Sequence, residues 1–94
     1  MSHIPKVKIK SELTPEEMLQ WRQGLMFEQT DAARALGVCR RTYQDYELNG
    51  APRRILLATF GHSVIDYITS HPDAPDDVLM SCIRRAAAEL IEPK

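Results

Sequence analysis

Only three residues, Gly37-Val38-Cys39, separate two short helical patterns near the middle of the chain, and no other feature restricts its fold so tightly. Two helices joined by a turn of three or four residues are held at roughly 90–120° to one another. The first pattern spans about 29–36 and turns Ala32, Ala33 and Leu36 inward. Its small alanines let another helix approach closely. Gly37 follows directly, where a left-handed residue commonly ends a helix. The second pattern runs about 40–48 with Tyr43 and Tyr46 inward, and Asn49-Gly50 ends it.

The flanks are helical too. Thr14-Pro15-Glu16-Glu17 is a helix start: Thr14 caps, Pro15 suits the first helical position, and Glu17 completes a capping box. Met18, Trp21 and Leu25 then form a one-sided stripe, which predicts a helix over about 15–25. Pro52 opens a fourth helix near 52–69, where Leu57, Phe60, Val64 and Ile68 keep helical spacing and Leu56, Ile65 and Tyr67 widen the apolar surface. His71-Pro72-Asp73-Ala74-Pro75 breaks the chain. Asp73, Asp76 and Asp77 favour the positive end of a fifth helix, about 75–91, with Leu79, Ile83, Ala86 and Leu90 in register. Residues 3–10 alternate apolar and basic with period two, the pattern of a short N-terminal strand or an extended arm. The expectation is an all-α, five-helix domain with that short strand in front, in one domain over 1–94.

At 94 residues the chain holds one modest core and is too short for a typical barrel enzyme. No apolar run approaches the roughly 20 residues that span a bilayer. The N-terminus lacks the apolar stretch of a signal peptide, and two cysteines are too few for a secreted disulfide scaffold, so a cytoplasmic protein is expected. The formal net charge of −1 does not point to nucleic acid, but it hides two basic segments and an acidic tail. Lys6, Lys8 and Lys10 face no acid in the first ten residues, and Arg40, Arg41, Arg53 and Arg54 outnumber Asp45 and Glu47 over 39–54. Acids dominate 71–94. An anionic partner meets local charge, because salt screens beyond about 8–10 Å.

The segment from Gln29 to Glu47 resembles the helix-turn-helix of the lambda-repressor-like, Cro/Xre regulator family. The likeness covers roughly 14–60 and rests on Gln29 opening the second helix, Ala33 at the helix crossing, Gly37 in the turn, Val38 after it, Tyr43 and Tyr46 at the core positions, and Glu47 at the end. Arg22, seven residues before Gln29, also fits. Four positions depart from the pattern: Tyr43 replaces a Val or Ile, Cys39 and Glu28 replace Ser or Thr caps, and Met26 stands where Gly is common. The resemblance implies a DNA-binding core over 14–60 behind an arm over 1–13, with an Arg22–Glu47 salt bridge bracing the motif. It also implies transcriptional regulation, most simply repression.

Docked in that way, the first helix of the motif crosses the DNA backbone and the second enters the major groove. Gln29 sits where backbone N–H groups favour a phosphate. Arg40, Arg41, Gln44 and Asp45 reach base edges, and Thr42 adds a phosphate or methyl contact. Arg suits guanine, Gln adenine, and Asp the cytosine amino group. Taken alone, Arg40-Arg41 is a solvated basic face; opening the recognition helix gives it weight. The lysines of the arm read better as solvated charge, and Arg53 and Arg54 serve either role. One recognition helix reads too few base pairs for useful specificity. A homodimer built mainly by the apolar-rich helices of 61–94 is therefore expected. An antitoxin that regulates its own operon and binds a toxin fits the same residues, as does a protein-interaction module reusing the fold. No enzyme, metal or cofactor is expected: His3, His62 and His71 share no ligand spacing with Cys39 or Cys82, and there is no phosphate loop or nucleophile motif.

Overall fold

Helix α1 (Pro15–Gly24) starts with the capping box its sequence encodes. In the computed structural model, which describes residues 8–91, the Glu17 N–H donates to Thr14 Oγ1 at 3.2 Å, and the Thr14 N–H donates back to Glu17 Oε1 at 3.0 Å. Lys10 Nζ lies 2.8 Å from the other Glu17 oxygen and ties the incoming arm to the helix start. The Lys10 hydrogen bond, followed by the bond from Thr14, holds the Glu17 carboxyl below its ordinary range.

Four further helices follow: α2 (Gln29–Leu36), α3 (Arg40–Asn49), α4 (Arg53–Ser70) and α5 (Asp76–Ala88). Among the described residues, the remaining regular structure is one antiparallel pair of two-residue strands, β1 (Glu12–Leu13) with β2 (Ala51–Pro52). The architecture is all-α. The strand falls later than the alternating pattern of 3–10. Of that pattern, Ile9 makes a single bridge to Ile91, Lys10 N–H donates to Leu90 O at 2.8 Å, and residues 3–7 lie outside the described residues. Long-range partners decide the difference: β1 places Leu13 opposite Ala51, and both are buried. Pro52 belongs to β2 and precedes α4 rather than opening it.

Two helix ends are built alike. At the end of α2, Val38 N–H reaches Ala33 O at 3.0 Å and Gly37 N–H reaches Arg34 O at 3.2 Å, the paired bonds of a Schellman motif. Gly37 takes the left-handed position at φ 71°. At the end of α1, Phe27 N–H reaches Arg22 O at 3.1 Å and Met26 N–H reaches Gln23 O at 3.0 Å. There the left-handed residue is Met26, at φ 58°, with its side chain 92% exposed. Met26 thus adopts a glycine-like backbone and extends its side chain into solvent.

The core joins α1, α2, α3 and the start of α4: Met18, Ala32, Ala33, Tyr43, Tyr46, Ile55 and Leu56, closed by Leu13 and Ala51. The two alanines supply the room that the fully buried Tyr43 ring requires. An aromatic cluster pins α4 to α1. Trp21, Phe27 and His62 meet edge to face with centroids 5.7–6.2 Å apart, and Trp21 Nε1 donates to Ser63 Oγ at 3.2 Å. Helix α5 is attached more loosely. None of its residues is fully buried, and an open cleft of about 440 Å³ lies where α1, α4 and α5 converge. Among the described residues, no helix is long and apolar enough to cross a membrane.

Three backbone positions separate conformational strain from crowding. A Cβ at Gly37 meets nothing within 4 Å, so Gly37→Ala costs only the left-handed backbone, about 1 kcal/mol. A Cβ at Gly50 meets Leu13 O at 2.7 Å, and its φ of 91° is strained for any L residue. Gly50→Ala therefore costs more, about 3 kcal/mol. Met26→Gly relieves the same strain at the end of α1 and stabilises by up to about 1 kcal/mol, less what the freer unfolded chain takes back. Urea titrations of the three variants check that order.

Candidate nucleic-acid interface

Helix α3 has two unlike sides. Tyr43 and Tyr46 are buried, while Arg40, Arg41, Asp45, Leu48 and Asn49 are exposed and Thr42 and Gln44 half-buried. At 100° per residue, Arg41, Gln44, Asp45 and Leu48 share the side opposite the tyrosines. A turn fixed by Gly37 holds that side relative to α2. The start of α3 is capped weakly. Cys39 has the extended backbone of a cap, but its side chain makes no cap bond; its Sγ lies 3.1 Å from Thr42 Oγ1 instead. That hydrogen bond, with help from backbone N–H groups, holds the thiol below the ordinary cysteine range. The Glu28 cap of α2 is served from Asp31, whose Oδ2 accepts the Glu28 N–H at 3.1 Å.

Behind the exposed face lies a chain of polar side chains. Arg22 and Glu47 form a two-pronged pair, Nε to Oε2 at 2.5 Å and Nη2 to Oε1 at 3.3 Å, with side chains only 18% and 11% exposed. Arg22 Nη1 also donates to Phe27 O at 3.1 Å, so one guanidinium holds the α1 end, the entry to α2 and the end of α3. Gln29 Nε2 donates to Glu47 Oε1 at 3.0 Å, and Gln44 Nε2 donates to Gln29 Oε1 at 3.2 Å. The direction is forced. An ionised carboxylate only accepts, so Gln29 must offer it the amide nitrogen and keep its oxygen for Gln44. Gln44 is then left with its own oxygen and one N–H for an outside partner. Glu47 thereby sets the amide orientation of a residue on the outward face.

Charges follow the same logic. Burial pushes the Glu47 carboxyl up, but the hydrogen bonds from Arg22 and Gln29, the Arg22 charge and the nearby Tyr43 hydroxyl outweigh it and leave it below its ordinary range. The Glu47 contact raises the Arg22 guanidinium further. Burial, then Glu47, pushes the Tyr43 phenol well above its ordinary value; its buried hydroxyl faces this pair without a well-formed hydrogen bond.

The residues singled out from sequence divide accordingly. Arg40 and Arg41 are exposed, with no ion pair among the described residues. Gln29, expected to face phosphate, instead turns its amide to Glu47 and Gln44. Asp45 is exposed but accepts from Asn49 Nδ2 at 2.7 Å. Arg53 and Arg54 are exposed in the first turn of α4, where the helix dipole disfavours cations. Sequence reasoning missed Leu48, 76% exposed and seven residues beyond Arg41 on the same side; that spacing was the available signal. Among the described residues, no group of three or more His, Cys, Asp or Glu is placed to hold a metal ion.

Stability should report this network through pH. Glu17 and Glu47 both have lowered carboxyls, so their contribution is fully present above the ordinary carboxylate value near 4.5 and drains as pH falls below it. Arg22→Ala strands a mostly buried carboxylate and costs about 3 kcal/mol at pH 7. Glu47→Gln flattens the loss of stability between neutral pH and about pH 3. Urea midpoints across that range check both; a Glu47→Gln profile as steep as wild type would place the acid sensitivity elsewhere.

Comparison with known proteins finds no matching family model, no similar curated protein and no similar solved structure, so the reading of this surface rests on its own geometry.

Proposed function

We propose that the chain is a small cytoplasmic transcriptional regulator of Cro/Xre type that binds duplex DNA sequence-specifically as a two-fold dimer and acts as a repressor. The observation that carries this reading is the outward side of α3. Two unpaired arginines open the helix, and Gln44 stands beside them with its amide orientation set from behind by Gln29 and Glu47. Preset side chains lose little freedom on meeting a base edge, and Arg and Gln are the residue types whose paired groups match guanine and adenine. Leu48 adds an apolar contact suited to a thymine methyl. Arg53 and Arg54 at the positive end of α4 are relieved by a phosphate. The acidic residues Asp73, Asp76, Asp77 and Glu89 lie in the last turn and helix, away from α3 in the chain.

Mobility-shift titration on a selected operator tests the reading. Arg41→Ala weakens the cognate site by about 1–3 kcal/mol and relaxes preference at one base pair. Gln29→Ala acts through Gln44 and lowers preference for adenine at one position. Affinity falls steeply with added salt through counterion release. Cognate binding left untouched by both Arg40→Ala and Arg41→Ala would remove α3 from the interface.

A further inference from the structure

The open cleft of about 440 Å³ between α1, α4 and the end of α5 is used neither by the core nor by the outward side of α3. Small-molecule sites span about 300–1,000 Å³ and combine apolar walls with a few polar groups. This cleft has that composition. Trp21 from α1 and Phe60 from α4 supply aromatic wall, with two hydroxyls beside them. Ser63 already accepts from Trp21 Nε1. The buried Thr59 hydroxyl gives its hydrogen to Leu56 O at 2.7 Å, so toward any further partner it only accepts. The charged residues lining the cleft are Lys10, Glu17 and Glu89. One cation against two carboxylates leaves a net negative charge. Lys10 is already engaged by Glu17, 2.8 Å away. Glu89 is exposed and has no ion pair among the described residues. Glu89 also caps the C-terminal end of α5, where a helix carries partial negative charge. Carboxylate and helix end thus act with the same sign at one place.

We propose that this cleft binds a small organic monocation, an ammonium group on a short arm from an aromatic body. The ammonium takes the Glu89 carboxylate at the end of α5, and the aromatic body lies against Trp21 and Phe60. Aromatic faces attract a cation as well, so the rings do not oppose the charge. An anion of the same shape meets two carboxylates and a negative helix end, with the one lysine already paired. A neutral molecule of that shape keeps the apolar contact and forgoes the carboxylate. Charge therefore selects among ligands that fit equally well. The proposal is independent of what α3 binds, since Arg40, Arg41 and Gln44 do not line the cleft.

Trp21 is the one tryptophan of the chain, so its fluorescence reports on the cleft directly. The test titrates phenethylamine into the full chain, with phenethyl alcohol as the neutral probe and phenylpropionate as the anionic one. Helicity recorded without probe shows that each variant is folded. Phenethylamine is expected to change the Trp21 emission saturably, with a Kd of about 1 mM or tighter. The alcohol binds about fivefold more weakly or worse, and the anion does not saturate. Glu89→Gln weakens the amine about threefold and leaves the alcohol unchanged. Lys10→Gln releases the Glu17 carboxylate and tightens the amine about threefold. Equal affinity for amine and alcohol, tighter binding of the anion, or no saturable change with any probe overturns the proposal. So does an amine titration that neither Glu89→Gln nor Lys10→Gln alters while both keep wild-type helicity.

Discussion

The contact between Arg22 and Glu47 is the constraint on which the rest of the helical core depends. Arg22 comes from α1 and Glu47 from α3, and Arg22 also holds the carbonyl of Phe27 at the entry to α2. Burying two charges costs several kcal/mol unless their remaining hydrogen-bonding capacity is used. Here it is used: the carboxylate takes Arg22 twice and Gln29 once, and the guanidinium takes a backbone oxygen besides. A slip of α3 relative to α1 strands a charge, whereas a slip of Tyr46 within the core only loosens packing. The pair thus specifies one arrangement of three helices that apolar contacts alone would leave soft.

The same pair reaches the surface through amide chemistry. Gln29 and Gln44 have no intrinsic preference for one flip, because amide nitrogen and oxygen differ little in shape. A negative charge at one end of the chain removes the ambiguity at both. The structural role of Glu47 and its effect on the exposed face are therefore not separable. Its charge braces the fold, and its acceptor-only character determines what Gln44 presents outward.

Local features were legible in the sequence, and long-range ones were not. Thr14 with Glu17, and Gly37 with Val38, are complete within five or six residues, so their spacing alone announces a helix start and a helix end. Tyr43 and Tyr46 are inward because only one side of a ten-residue helix faces α1 and α2. The Arg22–Glu47 pair came from resemblance; nothing in the spacing requires it. The β1–β2 pair left no pattern, since two residues cannot show a period. Gly50 reads as an ordinary helix stop until Leu13 O is found 2.7 Å from where its Cβ would stand. His62 lies in an apolar run and gave no hint that it closes a ring cluster with Trp21 and Phe27. Gln29 was read from its place at a helix start, but a carboxylate eighteen residues away claims its amide.

Packing divides the chain into a firm part and a looser one. Buried side chains run from Leu13 to Thr59, and none of α5 is among them. Helix α5 is held instead by the cleft residues it shares with α4 and by the backbone bond between Lys10 and Leu90. Its apolar side is wider than α4 alone covers, with Val78 44% and Met80 48% exposed. A surface of that kind is unfavourable for a free monomer and becomes favourable once covered, because burial of apolar area drives association as it drives folding. The firm part alone fixes what α3 presents, since Arg22, Gln29 and Glu47 all lie within it.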